Sequence, residues 1–222
     1  MTWTEVYNRV VFKIWGNSTV PAGTLAVLQG DEGIIGNVHR KIQQDYNYWF
    51  MQTSGTLTSA SGTQSYSATG LSGTYKEIIS MAWLVDGETF YSDPLSPVST
   101  QDAEKLYIQS AATAKYPTLY ELRDENIILY PIPTTSSLTL RVQYWQFLDR
   151  PPASFDATTD DLITYGADAV VNGAAAEMLE ILKEWDSVKA MNGRAGEALE
   201  LLKQEDRRRR QAPLYNIKYK DY

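Results

Sequence analysis

The period of the hydrophobic pattern changes twice along the 222 residues, and this constrains the fold more than any other feature. From residue 2 to about 48, and again from about 161 to 210, apolar residues recur every three or four positions, which predicts helices. Between these regions apolar and polar residues alternate, and Gly, Ser and Pro interrupt the pattern, which predicts short strands. The fold class is therefore predicted to be α+β.

The boundaries follow from the points at which the pattern changes. The N- and C-terminal helices, residues 1-52 and 153-211, are predicted to form one helical bundle, because neither pair is apolar enough to be stable alone. Residues 53-152 are predicted to form an inserted antiparallel β-rich domain that ends at a Pro pair. Residues 212-222 are predicted to form an extended C-terminal docking tail.

Capping residues predict where the helices begin. Thr2 with Glu5 forms a capping box, which predicts a helix to Trp15. A second helix is expected from residue 31 to about 48. The acidic pair at 160–161 predicts a helix to about 184, in which the small residues 173–176 allow close approach of another backbone. Asp186 is expected to cap a last helix that ends near Arg210.

The central region contains several strand signals. Residues 53–58 and 62–66 are predicted to be a pair of strands joined by a Ser/Gly turn. Asp86-Gly87 predicts a hairpin turn between a strand at 75–85 and a return at 88–91. A short helix is expected over 101–109. Further strands are predicted at 119–122, 126–130 and 138–147.

Composition excludes several classes of site. The chain has no Cys and one His, so disulfides and thiolate metal sites are excluded, and no catalytic residue, cofactor or metal ligand is predicted. His39, beside two cations, is expected at the surface, and the Asp residues at 156, 160 and 161 are expected to cap a helix.

The net charge of −7 disfavours binding to phosphates. No signal peptide or membrane span is recognised, which predicts synthesis in a cytoplasm.

The order of several short motifs resembles a known family. An aromatic cluster at 46–51 precedes the Thr-rich strands, and Tyr-Pro-Thr-Leu-Tyr at 116–120 precedes Ile-Ile-Leu-Tyr-Pro-Ile-Pro at 127–133. Leu-Arg-Val-Gln-Tyr-Trp at 140–145 leads through Arg-Pro-Pro at 150–152 and the acidic pair to Tyr-Gly-Ala at 165–167. Over roughly residues 30–210, this arrangement resembles the head-to-tail adaptor proteins of short-tailed bacteriophages, which are also called connector or head-completion proteins.

The resemblance implies a structural virion protein and not an enzyme. Such a protein forms a homo-oligomeric ring, usually of twelve subunits, which binds beneath the portal protein at the head-tail interface. The ring extends the DNA channel and provides the attachment surface for the tail or nozzle protein, and DNA passes through it without sequence-specific binding. The negative charge of this chain fits such a conduit, because its wall would not attract phosphates. No membrane is involved.

The candidate partner-binding residues lie near the C-terminus. In the docking tail, aromatic and aliphatic residues alternate with polar ones, which predicts a strand that adds to the portal or to a neighbouring subunit; folding back on its own sheet, or partial disorder, is the alternative. The preceding run of four Arg could pair with acidic residues of such a partner, could be neutralised by Glu205 and Asp206, or could contact phosphate. The predicted partner-binding residues are Arg207, Arg208, Arg209, Arg210, Leu214, Tyr215, Ile217, Tyr219 and Tyr222.

A second class of function stays open at this point. The β-rich region could be a carbohydrate-binding module of a virion, with Tyr66, Trp83, Tyr91 and Trp145 as stacking faces on one side of a sheet. A non-catalytic tail component such as a tail-tube or baseplate piece is a further alternative. A hydrolase would need a carboxylate pair that no motif reveals.

Overall fold

The computed structural model describes residues 1–16, 20–21, 24–29, 32–71, 74–85, 88–103, 105, 113–152, 154 and 156–211. Helices lie towards both ends of the chain and strands in its middle, so the predicted α+β class is confirmed. The chain divides into two compact units, one of Met1–Met51 with the chain from Leu148 onward, and one of Gln52–Phe147. The predicted turn at Asp86-Gly87, the docking tail and most of the helix predicted at 101–109 lie outside the described residues.

The helices are α1 (Trp3–Trp15), α2 (Thr24–Leu28), α3 (Ile34–Asp45), α4 (Thr100–Ala103), α5 (Asp161–Ile181) and α6 (Trp185–Gln211). All except α4 belong to the first unit. In that unit α5 is central, because it packs against α1, α3 and α6. Helices from both ends of the chain therefore pack together within this unit.

The capping box of α1 is formed as predicted. The Thr2 side chain accepts the backbone N–H of Glu5 at 3.3 Å, and the Glu5 carboxylate accepts the backbone N–H of Thr2 at 2.8 Å. Gly16 ends the helix in the left-handed conformation, with φ of 69°, and its N–H bonds to the Phe12 carbonyl at 2.8 Å. These bonds satisfy backbone groups that a helix end otherwise leaves unpaired.

Helix α5 approaches α3 closely at Gly173. A Cβ atom on Gly173 would lie 2.8 Å from Cγ1 of Val38 in α3. The predicted close approach is therefore found at Gly173, where the neighbour is the Val38 side chain rather than a backbone. At the start of α5, the Asp160 carboxylate accepts the N–H of Ile163 at 2.8 Å, which confirms the predicted cap.

Two of the predicted helix boundaries are wrong. The second helix ends at Asp45, because Tyr46 is extended (φ −152°, ψ 149°) and residues 49–51 form a 3₁₀ turn. The last helix begins at Trp185, one residue before the predicted cap at Asp186. Both differences arise where the chain turns to pack against another helix, which a local pattern does not record.

The predicted surface position of His39 is also wrong, since its side chain is only 1% exposed. Nε2 of His39 lies 2.9 Å from Oδ2 of Asp160, Nδ1 lies 2.9 Å from the side-chain nitrogen of Gln43, and the ring of Trp3 packs edge-on at 5.1 Å. Gln43 in turn accepts the backbone N–H of Leu148 at 2.6 Å. These polar partners allow the imidazole of His39 to be buried on the apolar face of α3.

The strands of the second unit are β1 (Gln52–Thr58), β2 (Ser65–Ser67), β3 (Thr74–Trp83), β4 (Ser96–Pro97), β5 (Thr113–Ala114), β6 (Leu119–Arg123), β7 (Asn126–Tyr130), β8 (Ile132–Pro133) and β9 (Thr139–Phe147). They form three sheets, with the orders β1-β9-β3, β2-β7-β6-β4 and β5-β8. Most pairs are antiparallel, but β4 with β6 and β5 with β8 are parallel.

The predicted pairing of residues 53–58 with residues 62–66 is wrong. β1 pairs with β9, so that Gly55 lies opposite Val142, whereas β2 pairs with β7 in another sheet. The alternation predicted for β9 is confirmed, because Leu140, Val142 and Tyr144 are buried. The core of this unit lies on that face of β9.

Glu121 of β6 is a buried charge in this second unit. Its carboxylate accepts hydrogen bonds from the hydroxyl of Thr100 at 2.6 Å, the hydroxyl of Tyr130 at 2.8 Å and Nε of Arg123 at 2.8 Å. Burial alone would raise the pKa of Glu121, but these hydrogen bonds and the charge of Arg123 lower it below its ordinary value of 4.5. The carboxylate is therefore ionised and paired at neutral pH.

Candidate partner-binding site at the end of helix α6

The predicted arginine run forms the last turn of α6, and all four side chains are at least partly exposed. Nε of Arg209 lies 2.9 Å and Nη1 of Arg208 lies 3.5 Å from the carboxylate of Glu205, and Nε of Arg210 lies 2.7 Å from Asp206. Neutralisation by Glu205 and Asp206 therefore accounts for part of the run. The cations also stabilise the helix, because its C-terminal end carries partial negative charge.

Asp206 is fully buried at the centre of this region. Its carboxylate accepts the backbone N–H of Trp49 at 2.6 Å and the hydroxyl of Tyr46 at 2.8 Å, in addition to pairing with Arg210. Arg210 also donates to the carbonyl oxygen of Asn47. Burial, and then the bond to Asp206, raise the pKa of Tyr46 above its usual range. One carboxylate therefore holds the end of α6 to the segment that follows α3.

An aromatic cluster surrounds these charges. The guanidinium of Arg209 lies 4.3 Å from the ring centre of Trp49 and 5.0 Å from that of Tyr165. Phe50 stacks on Tyr165 at 5.8 Å and on Tyr48 at 5.3 Å. Burial raises the pKa of Tyr48, so its hydroxyl stays protonated. The planar Arg209 side chain is thus positioned by rings on its faces, a contact that a lysine does not reproduce.

The surface left open to a partner is small and cationic. Arg207 is exposed, and the side chain of Arg208 is 83% exposed. These two arginines line a shallow hollow together with Gln204 and Gln211. Tyr165 is exposed nearby. Arginine beside tyrosine and tryptophan is the composition enriched in residues that dominate binding energy at protein interfaces. This surface suits a carboxylate-bearing segment of another protein.

The other predicted partner-binding residues, Leu214, Tyr215, Ile217, Tyr219 and Tyr222, lie outside the described residues. The sequence identified Asp206 only as a charge that could neutralise the arginines, and it did not identify Trp49 and Tyr165 as members of the site. The aromatic run at 46–51 was a signal for part of it, whereas Asp206 stands in a charge run typical of a solvated helix end.

The predicted aromatic platform for a carbohydrate is not formed. Trp83 is only 1% exposed, and its indole N–H donates to the Pro117 carbonyl at 2.8 Å inside the core. The hydroxyl of Tyr66 donates to the carbonyl of Thr63 at 2.9 Å, and Tyr91 lies beneath Arg141. Tyr66 and Trp83 also lie on strands of different sheets, so these rings do not share one face.

The part of the chain that the structure describes holds neither a metal-binding cluster nor a membrane-spanning helix. Within the described ranges, no three or more His, Asp or Glu side chains are grouped so that they could hold a metal ion. Among the helices of the described residues, none combines the length and the apolar character that crossing a bilayer requires.

A helical unit that carries an arginine–aromatic surface, and a second unit built mainly of strands, are the architecture expected of a structural interaction protein. The family model of the SU10 adaptor protein matches residues 1–216. A comparison with curated proteins found no match. The chain belongs to the SU10 adaptor protein family, so it is a phage adaptor and a structural component of the virion. The resemblance drawn from the order of motifs is confirmed, and the match extends beyond the residues on which it was based.

Proposed function

We propose that this protein is the subunit of a head-to-tail adaptor ring of twelve copies. The ring binds beneath the portal, extends the DNA channel and provides the attachment surface for the tail or nozzle protein. The observation that carries this proposal is the family match over residues 1–216. The role is assembly, with DNA passing through the channel and no substrate being turned over.

The net charge supports a conduit rather than a DNA-binding ring. Each chain carries −7, and a ring repeats that charge around its axis. Phosphates are then repelled or weakly held by the wall, which favours fast passage. The four arginines at the end of α6 are partly compensated by Glu205 and Asp206, which further lowers their attraction for phosphate.

The end of α6 and the segment 212–222 are the proposed docking surface for the portal or for a neighbouring subunit. Arg207 and Arg208 are exposed on the turn that immediately precedes this segment. Tyr215, Ile217 and Tyr219 alternate with polar residues, so the segment can add as a strand to a partner's sheet edge. Acidic side chains on the partner would pair with the two arginines.

Mixing the purified chain with its portal protein tests the proposal. Mass photometry should show portal rings that gain mass corresponding to twelve chains, and cryo-electron microscopy should place the added density below the portal. A portal that gains no mass at micromolar concentrations of the chain would refute this function.

A pair of charge-reversed variants tests the docking surface. Arg207→Glu with Arg208→Glu should weaken portal binding by about tenfold or more, because like charges placed opposite a partner's acidic groups are strongly unfavourable. The matched control is Lys105→Glu with Lys115→Glu, which makes the same change in net charge at exposed positions of the second unit. Equal loss of binding in both variants would show a general charge effect and would remove α6 from the docking surface.

A further inference from the structure

The turn between α5 and α6 exposes an unusual apolar surface. Ile181 is 58% exposed and Trp185 56% exposed, and Leu182 between them is also exposed. Glu180, Glu184 and Asp186 are exposed in the same short stretch, against a single Lys at position 183. We call residues 180–186 the turn patch. Adjacent large apolar side chains with a charged rim are typical of a surface that another protein covers.

A groove of about 640 Å³ lies between α1 and α6 in the same unit. Phe12, which is 63% exposed, and Met191 form its apolar part. The charged residues of its lining are mostly cations. The carboxylate of Asp168 is already paired with Arg9 at 3.2 Å. We call this feature the α1–α6 groove. Its lining residues are Asn8, Arg9, Phe12, Lys13, Asp168, Met191 and Arg194.

The turn patch and the α1–α6 groove have complementary character. The patch combines apolar side chains with three carboxylates, and the groove combines apolar side chains with three cations. The exposed indole of Trp185 is the kind of large, rigid side chain that anchors an interface when it enters an apolar hollow. Opposite charges at the rim would fix the orientation of such a contact.

Trp185 of the turn patch and Arg194 of the groove lie on opposite sides of α6. Trp185 and Arg194 are nine residues apart in that helix, which corresponds to about two and a half turns and therefore to opposite faces. Placement on opposite faces favours a contact that runs from one copy to the next around an axis. A head-to-tail contact of this kind closes into a ring when its rotation is suitable.

We propose that the turn patch of one copy inserts into the α1–α6 groove of the next copy. Trp185 and Ile181 contact Phe12 and Met191, and the carboxylates of the turn patch face Lys13 and Arg194. This inference deepens the proposed ring and rests on it, because it names the surfaces by which neighbouring subunits meet. The end of α6 is then left available to the portal.

Engineered cysteines test the contact, because the natural chain contains none. A Leu182→Cys chain and a size-tagged Asn8→Cys chain are mixed, added to portal and mildly oxidised. A mixed disulfide dimer is expected on a non-reducing gel, at least tenfold more abundant than for the control pair Leu182→Cys with Lys41→Cys, since Lys41 is exposed on α3, outside the turn patch, the groove and the end of α6. Equal yields from both pairs, or none from either, would overturn the proposal.

Charge exchange provides the second measurement. Glu180→Lys with Glu184→Lys, and separately Lys13→Glu with Arg194→Glu, should each reduce the ring subunits bound per portal by about tenfold at fixed concentration, because like charges then meet at the contact. The chain that carries all four changes should regain binding. If it binds no better than either parent, although circular dichroism shows it folded, the proposed contact is wrong.

The outcomes separate this contact from the proposed function. If the portal recruits the natural chain but the specific disulfide does not form between the variants, the proposed adaptor function stands and the proposed contact is wrong. A portal that recruits nothing refutes the function. The disulfide experiment is then repeated with the two variants alone at high concentration, where a specific mixed dimer supports the contact and equal or absent dimers overturn it.

Discussion

The carboxylate of Asp206 accepts the backbone N–H of Trp49 at 2.6 Å, although 157 residues separate the two in the sequence. The same carboxylate accepts the hydroxyl of Tyr46 and pairs with Arg210. A fully buried carboxylate with three donors satisfies groups that would otherwise be unpaired inside the protein. This arrangement fixes the last turn of α6, which carries the proposed docking arginines.

Asp206→Ala should lower the free energy of unfolding by about 2–4 kcal/mol, because it leaves buried donors unpaired and Arg210 without its carboxylate. Urea unfolding followed by tryptophan fluorescence measures the change. Glu205→Ala is the control, since Glu205 is partly exposed, and it should cost less than about 1 kcal/mol. A cost for Asp206→Ala no larger than that of the control would contradict the role of this carboxylate in holding the end of α6 to the segment after α3.

Gly173→Ala should destabilise the first unit by about 1–3 kcal/mol, because the added methyl group would lie 2.8 Å from Val38. Combining it with Val38→Ala should cost less than the sum of the two single changes, which a double-mutant cycle of thermal unfolding measures. Gly196→Ala is the matched control, since nothing lies within 4 Å of its Cβ position, and it should stabilise α6 by about 0.5–1 kcal/mol. Additive effects at Gly173 and Val38 would contradict the close helix approach.

Glu121 should contribute to acid sensitivity. Its pKa in the folded protein lies below its ordinary value of 4.5, so in acid the unfolded chain binds more protons than the folded one. The stabilisation is therefore complete above pH 4.5 and is lost as pH falls through the lowered pKa. Glu121→Gln should flatten the dependence of the urea midpoint on pH between 5 and 3, whereas the exposed control Glu88→Gln should leave it as steep as in the natural chain. An unchanged slope in Glu121→Gln would refute this role.

His39→Ala should cost about 2–4 kcal/mol of unfolding free energy, because the amide of Gln43 and an oxygen of Asp160 lose the imidazole that faces them and a cavity forms beside Trp3. Chemical denaturation measures the loss. Lys41→Ala, an exposed position two residues away, should change stability by less than about 0.5 kcal/mol. If the two variants are equally stable, the buried network is not structural.

Local signals in the sequence predicted the elements that depend on neighbouring residues. The capping box at Thr2 and Glu5 and the alternation of Leu140, Val142 and Tyr144 needed no knowledge of the rest of the chain. Pairing of β1 with β9 could not be predicted in this way, because the partners are more than eighty residues apart and β1 carries no pattern that selects one edge over another.

The candidate site also combines features that the local sequence predicts with features that depend on residues far away in the chain. The cationic end of α6 is visible in the sequence as four consecutive arginines. The burial of Asp206 is not, because it depends on the backbone N–H of Trp49, which is available to the carboxylate since α3 has already ended at Asp45. His39 was missed for a related reason. Its spacing from Ile35 and Ile42 placed it on the apolar face of α3, whereas the neighbouring Arg40 and Lys41 suggested solvent.

The pairing of Gln52 with Trp145 means that the chain enters and leaves the β-rich unit on adjacent strands, with backbones about 5 Å apart. A segment whose ends lie side by side can be exchanged by recombination, or lengthened and shortened, without rerouting the chain on either side. Among relatives, variation in length should therefore concentrate between these two residues, while the lengths of α1, α3, α5 and α6 are retained.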